Sequence, residues 1–245
     1  MKNTLRFLGE LVFPPRCVSC GTRMTVRADR EADYFCTACE AEWQKEQLSQ
    51  CSDCFCEYYS CRCQPRILQR AGATALFKLT PYVEDKKSAV TNRLIKGMKH
   101  SPRRRPFAAV ATDLAPLLAL AVKKSDAPAM LVHLPRTKKG VRREGFDHAA
   151  YLADALSASS GIPHKAALIR YRDGKEQKKL TLRERVQNVK GAFGLKGSVK
   201  GFHIILVDDV VTTGASVAEA TKILLSGGAA AVTVLAVSHT PKVRA

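Results

Sequence analysis

The sequence predicts an α/β fold built on a parallel sheet, preceded by a small cysteine-rich unit. Three observations carry this reading. From residue 73 onward, short apolar runs alternate with stretches of helical periodicity. All nine cysteines fall between Cys17 and Cys63. The run Ile204-Ile-Leu-Val-Asp-Asp-Val-Val-Thr-Thr-Gly-Ala-Ser216 passes from an apolar strand through two aspartates into a hydroxyl-rich turn that opens a helix.

Each element has its own signal. Met1 to Pro15 has too short an apolar core, and no small-residue cleavage site, for an export signal. It is expected as a short helix. Residues 17 to about 65 read as knuckles and short ribbons, not as a packed apolar core. Ala73–Thr80 looks like a strand, with β-branched and aromatic residues among the apolar ones. Lys86–Lys99 suits a helix with Val90, Leu94, Ile95 and Met98 near one face. Phe107–Val122 is Ala/Leu-rich and helical. Met130–Leu134 is a buried strand that feeds a basic loop after Pro135. Glu144–Ser157 returns to helical periodicity, Ala166–Arg170 reads as a strand, and Leu182–Val189 as helical or turn-rich. His203–Val207 is a buried strand and Ala215–Leu225 a helix, ended by Gly227-Gly228. Ala231–Val237 is the last strand. Strands apolar throughout and alternating with helices imply a parallel sheet covered on both faces. Ligands then sit beyond the carboxyl ends of the strands.

The chain has 245 residues, and 46% are apolar, enough for a real core. No continuous apolar run reaches the roughly 18 residues of a membrane span, so no membrane insertion is expected. The formal net charge is +18, from 40 Lys plus Arg against 22 Asp plus Glu. Such an excess favours polyanions: nucleic acid, phosphorylated small molecules or an anionic surface. No Gly-x-x-x-x-Gly-Lys-Ser/Thr run is present, which disfavours a P-loop nucleoside triphosphatase.

The chemistry is densest in Ile204–Ser216. Carboxylates at a strand end, Asp208 and Asp209, suit two vicinal hydroxyls such as those of ribose. The turn Thr212, Thr213, Gly214, Ala215 and Ser216 aims backbone N–H groups and hydroxyls inward at a helix N-terminus, a cradle for a monophosphate. Gly214 permits a left-handed backbone there. A second cluster follows Leu134 at the same sheet edge. Arg136, Lys138, Lys139, Arg142 and Arg143 suit a pyrophosphate, with or without Mg²⁺.

The cysteines fall in two groups. Cys17-x2-Cys20 and Cys36-x2-Cys39 have the spacing of a four-thiolate zinc ribbon rather than that of an iron–sulfur run. Cys51-x2-Cys54-x-Cys56-x4-Cys61-x-Cys63 offers a second set in which Cys56 or Cys61 serves. Pairing of Cys17 and Cys20 with Cys51 and Cys54 across one metal is an open alternative, as are reduced free thiols. A metal here holds a segment too small to fold on its own core. Tyr34, Phe35, Trp43, Phe55, Tyr58 and Tyr59 read as packing around it rather than as stacking platforms.

The run 204–216 closely resembles the phosphoribosyl pyrophosphate (PRPP) motif of type I phosphoribosyltransferases at all its positions. Further segments narrow the resemblance to the competence protein F (ComF) family and its gluconate-utilisation protein X relatives. These are Leu94-Ile-Lys-Gly-Met-Lys99, Gln177–Phe193 ending in Gly-Ala-Phe, and Arg143-Glu-Gly-Phe-Asp-His148. In the last, Asp147-His148 stands where the family carries Asn-Gln. The resemblance covers nearly the whole chain. It implies a type I phosphoribosyltransferase fold over 69–245 and an N-terminal double zinc ribbon over 1–68. Its second ribbon would use Cys51, Cys54, Cys61 and Cys63. It implies that Asp208 and Asp209 take the ribose hydroxyls and that 212–216 take the 5-phosphate, with Mg²⁺ accompanying PRPP. Arg183, Arg185 and Asn188 either line the cleft or serve only the local turn.

Three functions follow as expectations. The first is a cytoplasmic PRPP-binding protein that handles single-stranded DNA beside DNA-uptake proteins. Its basic track would draw on Lys86, Lys87, Arg93, Lys96, Lys99, Arg103, Arg104 and Arg105. The second is an active transferase moving phosphoribose to a small acceptor. The third is a regulator that senses PRPP.

Overall fold

The computed structural model describes residues 14–24, 34–83, 89–100, 104–172 and 187–241. Most of the Met1–Pro15 helix expected from sequence lies outside these residues. So do Lys86, Lys87, Arg103, Arg183 and Arg185.

Four parallel strands form the centre: β1 (Leu76–Pro81), β2 (Ala129–His133), β5 (His203–Val211) and β6 (Ala231–His239), in the order β1-β6-β5-β2. The pleat sends successive side chains of β5 to opposite faces. Ile205 and Val207 join one apolar cluster, while Ile204 and Leu206 join the other. On the first face lie α1 (Thr37–Gln47), α3 (Val90–His100), α4 (Arg104–Val122) and α6 (His148–Ser160); α2 (Arg66–Arg70) and α7 (Ala215–Ser226) cover the second. Both faces are covered by helices, which is why the strands are largely apolar on both sides.

The structure departs from the sequence reading in four places. Thr37–Gln47 is a helix rather than a ribbon, and its Trp43 is buried in the same cluster as Leu114 and Leu235. The basic loop is in part a short helix, α5 (Lys138–Glu144), capped by Thr137 and ended by Gly145 at φ 82°. That glycine breaks the helix expected from Glu144, so α6 begins at His148. The strand at β3 (Leu168–Arg170) pairs antiparallel with β4 (Phe193–Leu195) in a separate ribbon, outside the main sheet. By length and composition α4 could cross a membrane, yet its Phe107, Val110, Leu114 and Leu117 are buried against the sheet, as in a core helix.

The free edge of β2 is covered by 163–165. Leu131 N–H donates to the Pro163 carbonyl, and Lys165 N–H donates to that of Leu131. A chain of contacts fixes the cover: His133 Nδ1 to His164 Nε2 at 2.8 Å, and His164 Nδ1 to Asp154 at 2.7 Å. Blocking an edge in this way prevents pairing with another chain.

The cysteine-rich segment is welded to this core. Glu46 of α1 receives the N–H groups of Val90 and Thr91, each at 3.0 Å, and the Thr91 hydroxyl. A carboxylate from the N-terminal segment thus caps α3, where the helix dipole favours negative charge. Replacing Glu46 with Ala removes the cap and is expected to cost about 1–2 kcal/mol. Chemical denaturation reads this as a lower midpoint at unchanged m-value.

Candidate functional site: a carboxylate pair, an anion cradle and two thiolate clusters

A cleft of about 380 Å³ opens beyond the carboxyl ends of the parallel strands. Its floor is the continuous run Asp208–Val217, and its walls include Tyr82, Lys99, Arg136, His148 and Arg170. β5 continues through both aspartates to Val211, so the carboxylates belong to the strand rather than following it. This follows from the pairing: Asp208 sits opposite Ala236 and Val210 opposite Ser238 on β6.

The alternation of β5 carries Asp208 and Asp209 to opposite sides of the sheet. Asp209 falls on the α3/α6 side. Lys99 Nζ lies 2.8 Å and His148 Nε2 3.1 Å from its Oδ2. These are charge contacts rather than aligned hydrogen bonds. Burial raises the Asp209 pKa, but Lys99 and then His148 outweigh it and hold the carboxyl well below the usual range. Asp208 has burial and the neighbouring Asp209 charge against it, and its pKa is well above the ordinary value. Its Oδ1 accepts the Asp209 N–H at 2.9 Å. The two carboxyls are thus biased in opposite directions, Asp209 toward the anion and Asp208 toward the protonated form.

Gly214 adopts φ 78° and opens α7. A Cβ there would stand 3.3 Å from Pro65 Cγ, on top of an unfavourable backbone. Thr212, Thr213, Ala215 and Ser216 line the cleft with it. The loop is therefore pressed against Pro65, two residues beyond Cys63.

Of the five cations expected after Leu134, Arg136 alone lines the cleft. Its Nη1 is buried without a hydrogen-bond partner among the described residues. Lys138, Lys139, Arg142 and Arg143 sit on α5, away from the cleft lining, and Arg143 pairs with Glu144 at 3.0 Å. Asp147 positions Arg136. One oxygen accepts the Arg136 N–H at 2.8 Å, and the other accepts Ala149 N–H at 3.1 Å to cap α6. Lys99, expected on a DNA track, belongs to the cleft instead. Arg93, another candidate for that track, contacts Glu42 at 3.2 Å and Cys39 Sγ at 3.5 Å. Tyr82 and Arg170 escaped the sequence reading, although both stand near the carboxyl ends of strands.

Two groups of four thiols converge: Cys17, Cys20, Cys36 and Cys39, and Cys51, Cys54, Cys61 and Cys63. Within each group the sulfurs lie within 4.8 Å of one another. Cys20 to Cys36 is 3.7 Å and Cys54 to Cys61 is 3.5 Å. A tetrahedral Zn²⁺ with sulfur at ~2.3 Å needs edges of roughly 3.8 Å, so the donor sets fit zinc. The groups are not cross-braced. Cys56 is exposed and serves through its backbone: its carbonyl accepts Cys51 N–H at 2.9 Å, and its amide helps draw the Cys54 thiol down to about 7.

One cation meets each group. Arg93 reaches Cys39, and Lys78 Nζ lies 3.3 Å from Cys61 Sγ. Such contacts would offset the net negative charge of a four-thiolate metal centre at either group. Lys78 is fully buried on β1 and also donates to the Cys63 carbonyl at 2.7 Å.

No family model matches the chain. The DNA utilization protein YhgH of Escherichia coli is 36% identical over 151 residues, which span 60% of this chain and 66% of that protein. The chain thus matches slightly less than two thirds of that relative's length. Competence protein F of Haemophilus influenzae is 26% identical over 221 residues, 85% of this chain and 90% of that protein. Among solved structures, a hypoxanthine phosphoribosyltransferase from Staphylococcus aureus aligns with 58% of this chain and 70% of its own, at 10% identity and a TM-score of 0.37.

Metal analysis of protein purified under reducing conditions is expected to find two zinc ions per chain. Cys56→Ser is expected to keep both, whereas Cys61→Ser loses one. Loss of zinc from the Cys56 variant instead would exchange the two ligand assignments.

Proposed function

We propose that this chain is a member of the competence protein F (ComF) family, binds PRPP in the cleft at Asp208–Val217 and handles single-stranded DNA during DNA uptake. The observation that carries the PRPP part is the convergence of three features in one cleft. These are a buried carboxyl pair whose pKa values are pushed in opposite directions, a turn with Gly214 at φ 78° opening a helix N-terminus, and an arginine whose buried Nη1 has no hydrogen-bond partner among the described residues. Each matches one part of the ligand. Asp208 and Asp209 face two vicinal ribose hydroxyls. Thr212 to Ser216 surround the 5-phosphate with N–H and O–H donors. Arg136 supplies charge for the pyrophosphate, and Mg²⁺ arrives on the oxygens of that group.

Lys99 and His148 are positioning residues. Two carboxylates beside a ligand with several phosphate charges would repel it. Lys99 cancels one charge, and His148 fixes the Asp209 oxygen that would otherwise rotate. The competence part rests on what the relatives are called and on the charge of +18. A cytoplasmic location and contacts with uptake proteins belong to the same reading.

Isothermal titration with PRPP and Mg²⁺ tests the cleft. Hydrogen bonds to a charged acceptor contribute about 1.5–3 kcal/mol each, so Asp208→Asn/Asp209→Asn is expected to lose at least tenfold in affinity. Thr213→Val should also weaken binding, and Gly214→Val should weaken it more through strain and the clash with Pro65. Lys99→Met, which leaves Asp209 without its ammonium, is expected to lose about tenfold or more. Zinc content and far-UV dichroism should stay at wild-type values in the Asp variants. Wild-type PRPP affinity in a folded double Asn variant would end this reading.

A further inference from the structure

We infer that single-stranded nucleic acid lies in a second groove, between the first cysteine knuckle and the start of α4, separate from the PRPP cleft. This rests on the DNA part of the proposed function and gives it a surface. A groove of about 950 Å³ is lined by Arg16, Arg23, Arg104 and Arg105, and among the described residues no carboxylate lines it. It shares no lining residue with the PRPP cleft: α3 gives Gly97 to one and Lys99 to the other.

The arginines stand where local structure disfavours them. Arg16 and Arg23 face each other across an antiparallel bridge in the knuckle. Like charges directly opposite destabilise such a pair. Arg104 and Arg105 fill the first turn of α4, which holds no acidic residue. Cations there oppose the helix dipole. No carboxylate among the described residues pairs with Arg16, Arg23 or Arg104. Four positive groups held together against local cost make a surface that a polyanion stabilises.

Aromatic rings distinguish a single strand from other polyanions. The Arg105 guanidinium stands 5.7 Å from the Tyr34 ring, and that of Arg104 5.8 Å from Tyr151. Arg104 also lines an adjoining cleft of about 430 Å³ with Tyr34, Phe107 and Tyr151. Its carboxylate, Asp154, is held by His164. Phosphates along the arginines would leave bases free to stack on the tyrosines, a tolerant mode that duplex DNA cannot use. A curved anionic surface would use the charge without the rings.

Fluorescence anisotropy with a labelled oligothymidylate tests this across a salt series. Wild-type binding is expected to fall with salt, and the slope should drop by roughly 0.7 for each arginine removed. Arg16→Ala/Arg23→Ala is therefore expected to lower the slope by about 1.4, and Arg104→Ala by about 0.7, with zinc content and PRPP affinity unchanged. Tyr34→Leu, which keeps apolar bulk, should weaken the oligonucleotide about fivefold or more without changing the slope. Arg16→Lys/Arg23→Lys should restore most of the slope.

Failure of the wild-type chain to bind the oligonucleotide would overturn both this inference and the DNA part of the proposed function. Wild-type binding that survives in the folded arginine variants would overturn the groove alone. Equal affinity for duplex and single strand would also overturn it. So would arginine variants that lose only binding to phosphatidylserine vesicles.

Discussion

The ionised carboxyl of Asp209, buried at the end of a central strand, is the constraint around which the rest of the site is arranged. A charge removed from water is costly unless opposed at close range. Here two helices answer it: α3 brings Lys99 at its last turn and α6 brings His148 at its first. Each helix must then be fixed in register. Asp147 caps α6 immediately before His148. Glu46, from the cysteine-rich segment, caps α3 at the end opposite Lys99. A single buried charge is thereby linked to an N-terminal helix far from it in sequence.

The cysteine clusters extend the same logic to the other face. Cys61 and Cys63 sit beneath β1, where Lys78 binds them from inside the sheet. The Tyr58 hydroxyl contacts His239 at the end of β6, beside Val211. Two residues after Cys63, Pro65 presses on Gly214. The second cluster and the phosphate-sized turn are thus neighbours through one short length of chain. The first cluster joins the main core through Cys17, Cys39 and Trp43. This segment buries too little of its own apolar surface to stand alone. Borrowed core contacts supply part of what it lacks, and a metal held by the two thiol groups would supply more.

Much of this was legible in advance because it is local. Apolar runs named the parallel strands, and the Asp-Asp-x-x-Thr-Thr-Gly spacing named the cleft floor. Cys-x-x-Cys pairs named three of the four knuckle turns. Charge runs were less informative, since composition does not say which way a side chain points. Five cations after Leu134 looked equivalent, yet the helical turn at Lys138 directs four of them away from the cleft. The helix at Thr37–Gln47 was missed because cysteines and charges dilute its weak apolar face, and burial of Trp43 decides it.

The sequence by itself determined the fold class, the identity of the carboxylate pair and the cradle, and the first set of thiols. Each is encoded in residues close together along the chain. The difference between Asp208 and Asp209 was decided only by tertiary structure. Adjacent aspartates are chemically alike, but strand alternation turns them to opposite faces. Only one face receives an ammonium and an imidazole. Cys61 rather than Cys56 joins the second thiol group for the same reason, because the folded turn brings its sulfur within reach of the other three. Long-range packing assigns the charge state and the ligand geometry, because both depend on neighbours distant in sequence.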